Sequence, residues 1–180
     1  METYEPSPLG DVRAEQAIDG RWTLVFVRDF PHPPSRVWRA LTAPADLGEW
    51  APYTADRDLA SLGPATLTMI DGDEHVDIAV EVTEVEPERT LSYSWGTDLL
   101  RWDLAPIRSG TRLTLHHTVA DASWIAQVAA GWHICLDVAD HLMAEHPIGP
   151  IRGDAARAYG WETLRDAYTT KLDVPPEEGK

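Results

Sequence analysis

The stretch 122–145, ASWIAQVAAGWHICLDVADHLMAE, is the one segment long and periodic enough to form a complete amphipathic helix. Its apolar residues Ile125, Val128, Ala129, Trp132, Cys135, Leu136, Ala139, Leu142 and Met143 recur at the three- and four-residue spacing of a single helix face. Asp121 or Ser123 can cap its start, and His146-Pro147 followed by Gly149-Pro150 stops it. The chain from Trp22 to Val119 reads mainly as strands, so the economical arrangement is α+β: one long C-terminal helix lying in a curved antiparallel sheet. A sheet that grips a helix in this way can enclose a cavity.

Upstream of that helix, RWTLVFVRDF (21–30) alternates as a first strand, with Trp22, Leu24 and Phe26 on one face and Thr23, Val25 and Val27 on the other. Pro31-His32-Pro33-Pro34 breaks it, SRVWRALT begins a short helix with Val37, Trp38 and Leu41 inward, and Pro44 opens a second that ends before Pro52. A meander of period-two runs follows: GPATLTMID, HVDIAVEVTEV, RTLSYSW, LLRWDLAPI and TRLTLHHTVA. Asp71-Gly72-Asp73, Glu86-Pro87-Glu88, Gly96-Thr97-Asp98 and Ser109-Gly110 separate these runs, and such short connections make neighbours antiparallel. The apolar face is expected to carry Leu67, Met69, Val76, Ile78, Val80 and Val82 from the first two runs. From the others it carries Leu91, Tyr93, Trp95, Leu100, Trp102, Leu104, Leu113, Leu115, His117 and Val119.

Four segments are expected. Residues 1–20 form an N-terminal lead-in without chemistry, and 21–146 form the domain. Residues 147–172 form a loop and last helix packed on the domain, and 173–180 a flexible tail. Ile134 and Val138, on the back of the long helix, offer the last helix its docking surface, and a homodimer contact would use them equally well.

With two lysines and a net charge of -15, the chain is a poor partner for nucleic acid or an anionic membrane surface. No eighteen-residue apolar run suggests membrane insertion, and the polar, acidic N-terminus does not read as a secretory leader, so a cytoplasmic location is expected. The single Cys135 lies on the buried stripe and acts as a small hydrophobe.

The ordered pieces PHPPSRVWRALTAPADLGEW, RTLSYSW, RWDLAPIRSGTRLTLHHTV, AAGWHICLDVADHL and AYGWETLRDAY resemble the bacterial homologues of the activator of the ninety-kilodalton heat-shock protein's ATPase. These form a branch of the START-like, SRPBCC or Bet v-like helix-grip superfamily, and the likeness runs from about Val12 to Leu172. It implies a β-α-α-β(6)-α fold with a hydrophobic tunnel between long helix and sheet. The superfamily includes lipid carriers, polyketide cyclases, hormone receptors and oxygenase domains, so fold alone does not choose a function.

Phosphate loops and the nucleophile elbow have no counterpart in the chain, which leaves nucleotide hydrolysis unsupported. His133, Asp137 and His141 stand four apart beside the apolar stripe, and the span from first to last, about 12 Å, is too long for one ion. We read them as a solvated helix face and expect no metal, no cofactor and no catalytic residue. The residues expected to line the cavity are Trp50, Tyr53, Met69, Tyr93, Trp95, Trp102, His117 and Trp132, with His117 the polar member. Three functions compete on this basis. The first is a non-catalytic carrier or sensor of a small lipophilic molecule. The second is a protein-interaction or chaperone-assisting module, and the third a cyclase-like acid/base enzyme using His117 with Asp103 or Tyr93.

Overall fold

The computed structural model describes residues 4–174. Its strands are β1 (Asp11–Gln16), β2 (Trp22–Phe30), β3 (Tyr53–Ala55), β4 (Gly63–Asp71), β5 (Glu74–Glu86), β6 (Thr90–Trp95), β7 (Asp98–Ile107) and β8 (Gly110–Val119). Its helices are α1 (Pro34–Thr42), α2 (Pro44–Trp50), α3 (Ile125–Met143) and α4 (Trp161–Leu172), with short 3-10 helices at Ala122–Trp124 and Gly153–Tyr159. All eight strands form one antiparallel sheet in the order β1-β2-β8-β7-β6-β5-β4-β3. The expected single sheet, interrupted by two short helices and covered by the long helix, is therefore present. No helix among the described residues is long and apolar enough to cross a membrane.

Local chemistry explains the order. Proline at the first turn starts both α1 and α2, where its missing N–H costs nothing. Gly72 and Gly96 adopt positive φ in two-residue hairpin turns, pairing Asp71 with Glu74 and Trp95 with Asp98. Gly110 is needed for space: a Cβ there would overlap the main chain of Phe30 and His32, where β8 begins beside the end of β2. A register shift between Val82 and Glu84 bulges β5 against β6, the kind of irregularity that bends a strand and coils a sheet.

The inward alternation holds through Leu67, Val80, Val82, Leu91, Tyr93, Leu100, Trp102, Leu104, Leu113, Leu115, His117 and Val119, all buried. Val76 departs from it at 57 % exposed. The residues at the start of β5 are exposed on both faces, because the β4–β5 hairpin runs out past the cover that the helix gives.

Differences from the sequence reading concern the chain ends and the polar flank of the long helix. The lead-in is partly a strand: β1 pairs along its whole length with the first part of β2, from Asp11 opposite Val27 to Gln16 opposite Trp22. On the back of the long helix, the expected docking surface of the last helix, Ile134 and Val138 are as buried as Leu136 and Ala139, and α4 packs against α3. The solvated flank is also corrected, because His133 and Asp137 are both buried and hold partners from the N-terminal segment. Of the tail expected over 173–180, residues 175–180 lie outside the described residues, and Val174 is buried.

Candidate functional site

The space between α3 and the sheet is filled by rings. Trp132, 3 % exposed, projects from α3 into a cluster with Trp102 (centroids 5.2 Å apart, perpendicular), Trp95 (5.8 Å), His117 (6.1 Å) and Trp50 (6.5 Å). Trp50 also meets Trp102 edge to face at 6.1 Å and donates its indole N–H to the Ala40 carbonyl at 2.8 Å. Beside them the hydroxyls of Tyr53 and Tyr93 hydrogen-bond each other, and the Trp102 indole donates to the Tyr93 hydroxyl at 3.2 Å. Burial pushes the Tyr93 hydroxyl up to about 12 and that of Tyr53 well above its ordinary range, so both remain protonated.

A cleft of about 590 Å³ opens next to this cluster. Its inner wall is Met69, Trp95, His117, Trp132 and Cys135. The α3 side adds Gln127, Val128 and Gly131, and the outer wall comes from Ile151, Arg152, Ala156 and Trp161 of the C-terminal segment. Half-exposed Trp124 stands on its wall from the turn before α3. The eight expected lining residues thus divide evenly: Met69, Trp95, His117 and Trp132 face the cleft, while Trp50, Tyr53, Tyr93 and Trp102 lie behind it in the core.

His117 is 1 % exposed and both of its ring nitrogens are engaged. The Trp132 indole N–H, which can only donate, gives its hydrogen to Nδ1 at 2.9 Å. Nε2 therefore carries the hydrogen and donates to Asp98 Oδ2 at 2.8 Å. This chain runs from α3 through β8 to the β6–β7 turn and fixes the Trp132 ring on the cleft wall. No lone pair of His117 is left to accept a proton from a bound molecule. Asp103, the acid/base partner considered from sequence, lies on the opposite sheet face, bonded to Thr90 and Arg101. Burial pushes the Cys135 thiol up to about 12, which makes it a wall atom rather than a nucleophile.

The second polar constellation is the corrected helix flank. Asp137 accepts hydrogen bonds from the Tyr4 hydroxyl (2.7 Å), the Ser7 hydroxyl (2.6 Å), the Ser7 main-chain N–H (3.0 Å) and the Arg28 guanidinium. Burial alone would raise its carboxyl, but bonds from His133, Ser7 and Arg28 outweigh that and hold it well below the usual carboxylate range. Ser7 Oγ also lies 3.2 Å from His133 Nε2, and His133 Nδ1 lies 2.6 Å from the Tyr168 hydroxyl, which accepts from Gly10 N–H at 2.9 Å. Serine, histidine and aspartate meet here, yet not as a nucleophilic triad. The Ser7 hydroxyl donates its hydrogen bond to the carboxylate rather than to the histidine, and a carboxylate held this far below its usual range is a poor base. The group is a clamp that ties residues 4–10 to α3 and α4. Among the described residues no group of three or more His, Cys, Asp or Glu is arranged to hold a metal ion.

Sequence reading did not include Gln127, Gly131, Arg152 and Trp161 in the cleft, nor Tyr4, Ser7 and Tyr168 in the clamp. The available signals were the Trp161 stripe on the last helix and an arginine set between Gly149-Pro150 and Gly153 in an acidic chain.

Comparison with known proteins locates this geometry. The family described as "Activator of Hsp90 ATPase homolog 1-like protein" matches residues 31–144. No curated protein matches the chain. Among solved structures, a conserved protein of unknown function from Enterococcus faecalis is 20% identical with a TM-score of 0.67, covering 91% of this chain and 90% of its own. CalU16 from Micromonospora echinospora is 17% identical with a TM-score of 0.63, covering 89% of this chain and 95% of its own. The AHSA1 protein from Silicibacter pomeroyi is 23% identical with a TM-score of 0.59, covering 69% of this chain and 99% of its own. These likenesses are of fold.

Proposed function

Since the chain belongs to the activator of Hsp90 ATPase homolog 1-like family, we propose that it acts in the cytoplasm as a non-catalytic binder of a small lipophilic molecule. The observation that carries this reading is the cleft of about 590 Å³ walled by Trp95, Trp124, Trp132, Trp161, Val128 and Ile151. That size and apolar lining suit a small-molecule site, which buries most of its ligand and fixes it with few polar groups. The expected tunnel is occupied by Trp50, Trp102 and Trp132, so the ligand sits beside the ring cluster rather than within it. A binding role without chemistry follows from the polar groups at hand. His117 has no free lone pair, Cys135 has no thiolate character, and the tyrosine hydroxyls lie behind the wall.

Gly131 provides the test. A Cβ built on it meets nothing within 4 Å, so the helix backbone is bare at this point of the cleft wall. Gly131→Leu fills the space while exchanging a poor helix former for a good one, which favours α3 by up to about 1 kcal/mol. The neutral fluorescent probe N-phenyl-1-naphthylamine should bind the wild type saturably and the variant at least tenfold more weakly (about 1.4 kcal/mol), with the thermal midpoint unchanged or raised. Equal binding by both proteins would place the probe elsewhere and remove the cleft from consideration.

A further inference from the structure

We infer that the cleft takes an amphipathic carboxylate, its apolar body against the tryptophans, its anionic head received by Arg152 and a further acceptor oxygen by the Gln127 amide. This rests on the binding reading above and names the class of ligand.

The polar inventory of the cleft is lopsided. Arg152 donates to the carbonyls of Ala51 (3.0 Å) and Gly48 (3.4 Å), and among the described residues no carboxylate lies within 4.0 Å of it. A guanidinium carries five N–H donors, so these two bonds leave others uncommitted. Burial pulls Arg152 below the ordinary arginine range, and the nearby Glu49 carboxylate offsets this only in part. On the α3 wall, Gln127 Nε2 is the only buried side-chain nitrogen or oxygen among the described residues without a hydrogen-bond partner. An orphan polar atom of this kind calls for an explanation; it is closed off as the side chain stands, and a turn of the amide toward the cleft would let an entering acceptor supply its partner.

The other cationic group there is already paired, and the carboxylate of Asp71 stands on the exposed rim. Arg157 is paired with Asp154 at 3.0 Å and Glu162 at 2.8 Å, and exposed Asp71 accepts the Asp154 main-chain N–H at 2.9 Å. The half-buried charge without a carboxylate in ion-pair contact is therefore positive, with exposed Glu49 acting on it only at longer range, in a protein whose net charge is -15. Arg152 also caps the last carbonyls of α2, a role that accounts for its two bonds but leaves its spare donors and the Gln127 amide unanswered. A carboxylate, with two acceptor oxygens and one negative charge, meets both needs and matches a guanidinium in geometry.

The test compares decanoate with decan-1-ol, equal in chain length and different in head group, by titration calorimetry and tryptophan emission on the intact protein in 0.15 M salt. The acidic protein repels anions at long range, so a preference for decanoate requires a local cation. We expect the wild type to bind decanoate at least about tenfold more tightly than decan-1-ol. Arg152→Met should lower decanoate to the level of the alcohol and leave the alcohol unchanged, and Arg152→Lys should restore part of the difference. Because Arg152 also holds the end of α2, Gln127→Met provides a second variant that spares that contact, and it should weaken decanoate while leaving the alcohol as it was. Equal wild-type affinity for the two compounds, or a preference that survives Arg152→Met, overturns the carboxylate inference and leaves the binding reading standing. Failure of both compounds to bind overturns the two together.

Discussion

Replacing His117 by phenylalanine tests whether the Asp98–His117–Trp132 chain holds the cleft wall in place. The substitution exchanges ring for ring at a site that is 1 % exposed, so the volume lost or gained is small. What changes is the hydrogen bonding. The Trp132 N–H, buried, loses its acceptor at 2.9 Å, and an orphaned buried donor costs about 1–3 kcal/mol. Asp98 loses its donor too, but its side chain is 28% exposed and water replaces the bond, so its share is small. The cost should therefore belong to Trp132, and a double-mutant cycle isolates it. In a Trp132→Phe background there is no indole N–H to strand, and His117→Phe should then cost about 1–2 kcal/mol less than in the wild type. Urea unfolding of the four proteins, followed by circular dichroism, gives the coupling energy. Additivity within about 0.5 kcal/mol would mean that the bond contributes nothing measurable and that Trp132 is held by packing alone.

Two further outcomes follow from the core and the clamp. Trp132→Ala removes the ring around which the aromatic cluster is built and should cost about 3–5 kcal/mol in chemical denaturation, whereas a loss under about 1 kcal/mol would be incompatible with its burial. Asp137→Ala strands Arg28 and the donors of Tyr4 and Ser7 and should cost about 3–5 kcal/mol, with faster proteolysis near residue 10; an unchanged midpoint would contradict the clamp. The pH dependence has a definite sign. The folded carboxyl of Asp137 lies below its unfolded value of about 4, so the unfolded chain binds the extra proton, and the contribution is complete above that value and lost as pH falls toward the folded value. The stability difference between wild type and Asp137→Ala should accordingly shrink on acidification below about pH 4, and a gap that widened there would show the sign to be wrong.

The parts of the fold that could be read in advance are those whose residues report on their neighbours through spacing. Period-two runs gave the strands from β4 to β8, and the 3.6-residue stripe gave α3, because burial against one layer imposes a pattern on a single segment. The pattern weakens where the cover is partial. Strand β1 presents only Val12 and Ala14, both half-buried, since it lies at the sheet edge. Val76 alternates correctly and is still exposed, because alternation states which face a residue takes and not whether anything covers that face. His133 and Asp137 looked solvated for a different reason. Their partners Ser7 and Tyr4 lie some 130 residues away in a segment with no periodicity, and a polar flank satisfied from a distance looks the same in sequence as one satisfied by water. The cleft was half legible on the same grounds: Met69, Trp95, His117 and Trp132 belong to patterned elements, whereas Arg152 belongs to a loop.

The division of the cleft between two kinds of segment bears on where the specificity of the proposed binding would reside. The family match ends at residue 144, and the walls that precede it, from Met69 to Cys135, are drawn from the sheet and α3. Ile151, Arg152, Ala156, Arg157 and Trp161 all lie beyond it. Gly153 takes a positive φ with its α-carbon so close to the Asp71 side chain that a Cβ would overlap it, which seats the loop on the end of β4 and sets the depth of Arg152. The shared core can therefore keep its fold while the loop after the long helix changes the charge and shape of the opening. With Trp132 filling the space under α3, the proposed ligand would lie in the cleft between the helix and that loop. Under the proposed binding role, the identity of the residue at position 152 would govern which head group is accepted, and the bare backbone at Gly131 how much apolar body could lie against the helix.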